Sequence, residues 1–215
     1  MNMARWHRDL VERTHRREVE SAAFTLIELF VVMAVVGILL GLAFPAFTSV
    51  QNSARKTQAK NDLVQIVTAV NAFYTEYGKY PITGTTDTTF GPGGAPSTNT
   101  TLINPLRGLD TLNPRQIVFL SPPEVKDSSS PRGGVVTKTG ASTLGQFFDP
   151  WGTNYVIRID GDYDNQLPNP YNADTGAGSG SIRQGVIAWS LGNNKTGGIG
   201  AKSSTAANDD VISWQ

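Results

Sequence analysis

The feature that most constrains this chain is an apolar segment near its N-terminus, residues 24–47. Residues 29–54 contain no charged side chain, and Glu28 is the one charge within the apolar segment. About 20 apolar residues in a helix cross the hydrocarbon core of a bilayer. A buried core helix is the alternative, but it would be shorter and would show a polar face. The sequence therefore predicts one transmembrane helix.

The segment before the apolar helix is polar and densely charged, with five arginines and four acidic residues in residues 1–23. Only Arg55, Lys56 and Lys60 follow the apolar segment closely, so the charge bias places the N-terminus in the cytoplasm and the C-terminal domain outside. A secretory signal peptide has its small cleavage residues after the apolar block. Here the small pair at residues 22–23 precedes it. Cleavage there would remove a leader, residues 1–23, and keep the helix.

Composition argues against an enzyme. The chain has no cysteine, and its two histidines, His7 and His15, both lie in the predicted leader. Cysteine nucleophiles and thiolate metal sites are thus excluded, and the processed chain has no imidazole for acid–base chemistry. Lys and Arg number 18, as do Asp and Glu, so no basic excess points to nucleic acid. We expect neither catalysis nor nucleic-acid binding.

Helical periodicity continues beyond the apolar segment, and it ends at Gly78 and Pro81. Because the recurring apolar residues form one stripe, the second half of a helix over residues 24–77 needs a partner on one face only. Pro45 is expected to kink this helix. The stripe consists of Leu63, Ile66, Val67, Val70, Phe73, Tyr74 and Tyr77.

The remainder of the chain predicts the partner of that stripe. Residues 82–144 are rich in Gly, Pro, Ser and Thr, and they predict a long irregular insertion with a short helix at 114–120. Three short apolar bursts, at 155–159, 186–189 and 211–214, predict a small antiparallel sheet. The predicted fold class is α+β: a long N-terminal helix whose C-terminal half packs on a small antiparallel β-sheet with long loops.

The predicted domains follow from these boundaries. The leader is followed by a transmembrane and assembly half of the helix, and then by a globular domain that contains the rest of the helix, the insertion, and the β-sheet with the C-terminal loop. The ranges are 1–23, 24–54 and 55–215, the last divided into 55–78, 82–144 and 145–215.

The sequence AFTLIEL at residues 23–29, followed by an apolar helix, resembles the prepilin cleavage and methylation motif of type IV pilins and type II secretion pseudopilins. Four later segments look like the major pseudopilin of type II secretion: KYP at 79–81, DPWG at 149–152, SLG at 190–192 and DDVISW at 209–214. The resemblance implies a pilin-like fold and a structural role in a filament.

The resemblance also implies how the chain is processed. A prepilin peptidase would cut between Ala23 and Phe24 and methylate the new amino group of Phe24. Ala23 departs from the family, which usually has glycine before the cut. Glu28 would pair with the N-terminal ammonium of a neighbouring subunit and set the register of assembly. A carboxylate within a membrane is costly unless it is paired, which supports this role; a solvated position at the headgroups is the alternative.

Three further residues of the apolar helix are candidates for assembly. Gly37 and Gly41 form a small-xxx-small pair that allows two helices to approach closely in lipid, although glycine is common in membrane helices in general. Pro45 stands in the register of the family. Together with Glu28, these residues form the predicted assembly set.

Major pseudopilins hold a calcium ion in their C-terminal loop, so the resemblance implies a calcium site here. Calcium takes six to eight oxygen ligands. Asn194 stands where the family typically has aspartate, and a plain turn is the alternative to a metal site. The candidate ligands are the carbonyls of Ser190 and Leu191, the amide oxygen of Asn194, and the carboxylates of Asp209 and Asp210.

The segment DGDYDN at residues 160–165 has the acidic spacing that begins an EF-hand. Asn165 stands where that motif requires glycine, and Tyr171 stands where it requires the bidentate glutamate. The segment therefore predicts an acidic surface turn after a strand rather than a second metal site.

The expected function is that of a type II secretion pseudopilus subunit. It would reside in the inner membrane with its C-terminal domain in the periplasm, and then polymerise to drive protein export. The implied partners are further copies of the chain, minor pseudopilins, prepilin peptidase, the inner-membrane assembly platform with its ATPase, and membrane lipid. One alternative is a type IV pilin or minor pseudopilin of a surface fibre for adhesion, motility or DNA uptake. Another is a membrane-anchored binding domain that does not polymerise.

Overall fold

The computed structural model describes residues Thr25–Gln215, except for the side chains of residues 43–46. The predicted leader, the cleavage pair Ala23 and Phe24, and the side chain of Pro45 lie outside the described residues. The chain divides into two compact units, Met1–Ala46 and Phe47–Gln215.

The first unit contains the apolar part of helix α1, which runs over Leu26–Tyr77. Every described side chain from residue 25 to residue 42 is exposed. The helix is long and apolar enough, by length and composition, to cross a membrane. The backbone is helical at Pro45, and the role predicted for its side chain stays a prediction.

The second unit contains the remaining part of α1, and here the predicted apolar stripe is buried. Leu63, Ile66, Val70 and Phe73 are fully buried, whereas Tyr74 keeps 39% of its surface exposed. The helix ends at Tyr77, as predicted. Gly78 then adopts a left-handed conformation with φ of +68°, and its N–H donates to the Tyr74 carbonyl at 2.8 Å. Such a turn is a common end for a helix and favours glycine.

The chain has eight strands within the described residues: β1 Thr88–Phe90, β2 Gly134–Val135, β3 Phe147–Phe148, β4 Val156–Ile159, β5 Leu167–Pro168, β6 Ser181–Ile182, β7 Val186–Ser190 and β8 Val211–Ile212. The stripe packs against a four-stranded antiparallel sheet of order β1–β4–β7–β8. The three predicted strands are confirmed as β4, β7 and β8, and β1 adds an edge strand that the sequence did not predict. Two smaller sheets pair β2 with β3 and β5 with β6.

The two faces of the main sheet bury two separate apolar clusters. Ile157 and Ala188, which are register partners, point to the cluster shared with α1. Val156 and Ile187 point to the second cluster, which contains Tyr171 and lies under the C-terminal part of the chain. This alternation follows from the two-residue period of a strand. The fold is the predicted pilin-like α+β arrangement of a long helix with a small antiparallel sheet.

The description of residues 82–144 as irregular was wrong in part, because this segment supplies β1, β2 and a helix, α2 (Thr100–Leu106). No helix forms at 114–120, where the chain makes turns. The reason is the side chain of Asn113, whose amide donates to the carbonyls of Pro105 and Ile117 at 2.8 and 2.7 Å. A side chain bonded to nearby backbone competes with helical hydrogen bonds.

The start of α2 is fixed to the sheet region by one buried side chain. The amide of Asn99 donates to the carbonyls of Phe147 and Tyr155 at 2.9 and 3.0 Å. Its carbonyl oxygen accepts the N–H of Phe147 at 3.0 Å. The predicted insertion is therefore an integral part of the domain.

Candidate functional site

The apolar part of α1 is the first candidate site, because its large side chains are exposed on every face of the helix. Leu26 is 88% exposed, Phe30 75% and Leu42 71%, and smaller apolar residues between them are exposed as well. Monomeric proteins rarely expose apolar patches of this extent, and such patches mark membrane or protein contacts. This surface can be covered by lipid or by other helices.

The N-terminus of this helix is closed by a reciprocal pair of hydrogen bonds between Thr25 and Glu28. The Glu28 N–H donates to Thr25 Oγ1 at 3.3 Å, and the Thr25 N–H donates to Glu28 Oε2 at 2.9 Å. The Thr25 hydroxyl also donates to Glu28 Oε2, at 2.8 Å. This is a capping box, in which two backbone N–H groups that lack helical partners are satisfied by two side chains.

The capping box places the predicted assembly residue Glu28 at a defined position. All described contacts of its carboxylate fall on Oε2, so Oε1 has no partner within residues 25–215. The carboxylate also lies in the first helical turn, where the helix dipole favours negative charge. Chemically, Oε1 is suited to accept a hydrogen bond from a cation.

Sequence reasoning missed Thr25. The signal was available, because a threonine followed three residues later by glutamate, just before an apolar run, is the pattern of a capping box. The motif resemblance directed attention to Glu28 alone, whereas the structure shows that Thr25 and Glu28 form one unit.

Gly37 and Gly41 lie on one face of the exposed helix, separated by one turn. A Cβ built on either glycine meets no atom within 4 Å. Nothing within the described chain therefore requires glycine at these positions. The open surface above them is compatible with the close approach of another helix.

The second candidate site is the loop between β7 and β8, residues 191–210, in which Asp209 and Asp210 bind backbone groups. Asp209 Oδ2 accepts the N–H groups of Asn193 and Asn194 at 2.7 and 3.0 Å. Asp210 Oδ2 accepts the hydroxyl of Tyr171 at 2.6 Å and the N–H of Gly198 at 2.9 Å. The other oxygen of each aspartate is buried and has no hydrogen-bond partner among the described residues.

The side chains of the other predicted calcium ligands are engaged within the protein. The Asn194 oxygen accepts the N–H of Thr196 at 2.8 Å. The hydroxyl of Ser190 is directed to Asp149 Oδ2, at 2.6 Å. Leu191 is buried in the second apolar cluster. The unpaired oxygens of Asp209 and Asp210 and the carbonyls of Ser190 and Leu191 then give at most four oxygens, where calcium takes six to eight. These residues alone therefore do not complete the shell of a calcium ion in this arrangement.

Two carboxylates around this loop have pKa values that are shifted in opposite directions. Burial raises the pKa of Asp210 to about 6, against the opposing effect of hydrogen bonds from Tyr171 and Gly198. The hydroxyl and N–H of Ser203 lower the pKa of Asp174 to about 2. Asp174 fixes the loop through this contact and through the N–H of Lys202, at 3.0 Å.

The acidic segment at 160–165 forms the predicted turn after β4. Asp160 is buried and accepts the N–H groups of Tyr163 and Asn165 at 2.7 and 2.8 Å. Ligand oxygens of Asp87, Asp160 and Asp162 lie within 4.8 Å of one another. These hydrogen bonds account for the turn, and the expectation that no second metal site forms here stays a prediction.

Comparison with known proteins gives one informative match. Over 68 residues the chain is 37% identical to the type IV major pilin protein PilA of Myxococcus xanthus (strain DK1622). The match covers 32% of this chain and 31% of that protein, so it spans about a third of the relative's length. No family model matches the chain, and no solved structure gives a significant match. The similarity agrees with the pilin-like fold.

Proposed function

We propose that this chain is a structural, non-enzymatic subunit of a type IV pilin-like fibre. The observation that carries the proposal is the exposed, uncharged apolar surface of residues 29–42, which no other described part of the chain covers. The chain would first reside in a membrane, with this surface in contact with lipid. It would then polymerise, and the same surface would pack against other copies of the chain. The similarity to a type IV major pilin supports this assignment.

The energetics favour a fibre with the apolar helices at its centre. Full burial of one large apolar side chain is worth about 1.5–3 kcal/mol relative to water. A subunit that leaves the bilayer must therefore cover its exposed leucine, valine and phenylalanine side chains immediately. Between helices in lipid there is no such driving force, so close packing at small residues such as Gly37 and Gly41 would start the association.

Glu28 would set the register of each new subunit. After cleavage by a prepilin peptidase between Ala23 and Phe24, the ammonium of Phe24 is the nearest available cation on a neighbouring copy. The capping box holds Glu28 by Oε2 and leaves Oε1 for this ammonium. An ionised hydrogen bond in a dry environment is worth about 1.5–3 kcal/mol, enough to select one register over others.

Within this class, we propose a type II secretion pseudopilus as the specific assembly. Support comes from the resemblance of residues 149–152, 190–192 and 209–214 to major pseudopilins. The subunit would enter the inner membrane with its C-terminal domain in the periplasm, and minor pseudopilins, the assembly platform and its ATPase would act as partners. A surface type IV pilus is the second candidate, favoured by the type IV major pilin among its relatives.

The fibre proposal is tested by Glu28→Gln, which keeps the shape of the side chain and one acceptor oxygen for the capping box but removes the charge. The full chain is produced with its peptidase and assembly platform, and fibres are quantified by shearing and electron microscopy. We expect unchanged membrane levels and about a tenfold lower fibre yield. Intact mass of the membrane form gives the start residue and the methyl group. A wild-type chain that stays monomeric under these conditions would contradict the proposal.

The two assemblies are separated by deleting the gene in the source organism. If the chain is a pseudopilus subunit, the deletion stops the export of folded proteins into the medium and leaves surface fibres intact. A pilus subunit gives the opposite result. Restoration by the wild-type gene, but not by Glu28→Gln, connects either defect to assembly.

A further inference from the structure

Three consecutive backbone carbonyls in the β7–β8 loop accept hydrogen bonds from side-chain nitrogens. The amide of Asn194 donates to the carbonyls of Thr205 and Ala206, at 3.3 and 3.0 Å. The ammonium of Lys202 donates to the carbonyl of Ala207 at 2.8 Å. Asn194 thus joins the first half of the loop to the second, and Lys202 binds a carbonyl within the second half.

Rows of carbonyl oxygens next to carboxylates are the groups that bind calcium in proteins. In this loop the groups that donate to the carbonyls are side-chain N–H groups of the protein itself. Lys202 provides a full charge, and it also lies 5.9 Å from the ring centre of Tyr171, whose hydroxyl binds Asp210. Asn194 provides two N–H dipoles at the position where the resemblance implies an aspartate.

Glycines show how tightly the loop is closed around these groups. A Cβ on Gly192 would lie 2.6 Å from the carbonyl oxygen of Asp209, and a Cβ on Gly197 would lie 2.4 Å from that of Ala206. Both glycines have positive φ, +66° and +109°. The backbone therefore approaches closely at these points, and the direct contacts of Asn194 already connect the two halves.

We propose that the β7–β8 loop is closed by the Asn194 carboxamide in place of a metal ion, while the Lys202 ammonium holds the neighbouring carbonyl of Ala207. Asn194 is the residue that makes the loop independent of calcium. Its N–H groups satisfy the carbonyls of Thr205 and Ala206, which a carboxylate at the same position would repel. The proposal is independent of fibre assembly, because it concerns the loop within one chain.

The proposal is tested by Asn194→Asp in the full chain in detergent. Unfolding is followed through the fluorescence of Trp189 and Trp214, which belong to the apolar cluster beneath the loop, with millimolar calcium or with the chelator EGTA. We expect the wild-type melting temperature to be the same in both. We expect Asn194→Asp to melt about 3 °C lower in EGTA and to recover in calcium.

Two further variants distinguish a lost amide contact from a gained metal site. Asn194→Ala should lower the melting temperature, and the decrease should be the same in calcium and in EGTA. Asn172→Asp makes the same charge change at an exposed asparagine outside the loop, and it should respond to neither condition.

Terbium luminescence, excited through tryptophan, measures binding directly and does not depend on stability. We expect signal from Asn194→Asp and none from the wild-type chain. A wild-type chain that binds terbium, or that loses stability in EGTA, would overturn the proposal. So would an Asn194→Asp chain that folds but ignores calcium in both measurements. Because the wild-type comparison alone can refute it, the proposal does not depend on the variant folding.

Discussion

The hydroxyl of Tyr155 lies 2.7 Å from Oδ2 of Asp62, and this hydrogen bond joins the residue before β4 to the buried face of α1. Both side chains are buried in a largely apolar environment. Burial raises the pKa of Asp62, and the nearby Asp149 raises it further, while the hydrogen bond from Tyr155 lowers it. The contact between helix and sheet thus contains a carboxylate whose charge is costly.

Because the pKa of Asp62 is raised in the folded chain, we expect the stability of the domain to fall as the pH rises above about 4. The folded chain holds the Asp62 proton to a higher pH than the unfolded chain, whose pKa is about 3.9. Above that value the folded state binds more protons, so the free energy of unfolding decreases with pH until Asp62 is ionised in both states. Asp62→Asn accepts the same hydrogen bond without a charge. We expect a smaller decrease in denaturant melts between pH 4 and pH 7.

Tyr155→Phe should have the opposite effect on the same pH profile. It removes the hydrogen bond that lowers the pKa of Asp62 and leaves a buried carboxylate oxygen without this donor. We expect a loss of about 1–3 kcal/mol at pH 7 and a steeper decline with pH. Equal pH profiles for both variants and the wild type would show that Asp62 does not couple to folding.

Asn99 should be among the most sensitive polar residues of the domain. Asn99→Ala removes three buried hydrogen bonds, and the Phe147 N–H and the Tyr155 carbonyl lose the partner that Asn99 provides. We expect the free energy of unfolding to fall by about 3 kcal/mol, measured by denaturant titration. Asn172→Ala is the control, because that asparagine is exposed and should change stability by less than about 0.5 kcal/mol. Similar losses for both variants would contradict this reading of residues 82–144.

The long helix, its stripe and three strands could be predicted because each depends on local periodicity. Leu63 and Phe73 are fully buried where the helical pattern placed them. Strand β1 and helix α2 were missed for a different reason. Three residues carry too little pattern to indicate a strand, and the position of α2 depends on Asn99, whose partners lie 48 and 56 positions away. Such long-range contacts have no local signal.

The candidate sites show the same division. Glu28 was identified from the resemblance of residues 23–29 to the prepilin motif and from its isolation in an apolar run, both of which can be seen in the sequence alone. The side-chain partners of Asn194 could not be predicted, because they depend on how a 20-residue loop closes on itself. The sequence showed that asparagine replaces an expected carboxylate, but it did not show the carbonyls of Thr205 and Ala206 that accept the amide protons.

Gly37 and Gly41 give a test of helix contacts that does not disturb the isolated chain. Because a Cβ at either position meets no atom within 4 Å, Gly37→Ala with Gly41→Ala should leave the monomer intact and strengthen its helix slightly. We expect a lower fibre yield, since the added methyl groups prevent close approach of another helix. Val35→Leu adds one carbon to the far side of the helix and serves as the control. An unchanged yield in the double variant would place helix contacts elsewhere.

Thr25 should support assembly through Glu28, although it carries no charge. Thr25→Val keeps the shape of the side chain but removes the hydroxyl that accepts the Glu28 N–H and donates to Glu28 Oε2. Loss of such a cap costs about 1 kcal/mol of helix stability and frees the carboxylate to rotate. We expect a fibre yield between that of the wild type and that of Glu28→Gln, measured by shearing and electron microscopy.

Two comparisons make the role of Thr25 specific. Thr25→Ser retains the hydroxyl and should assemble like the wild type. Combining Thr25→Val with Glu28→Gln should lower the yield no further than Glu28→Gln alone, because both changes act through one carboxylate. Intact mass of each mature chain shows whether cleavage is preserved, since Thr25 lies close to the predicted cut. Additive losses in correctly processed chains would mean that Thr25 and Glu28 act separately, and the capping box would then have no part in assembly.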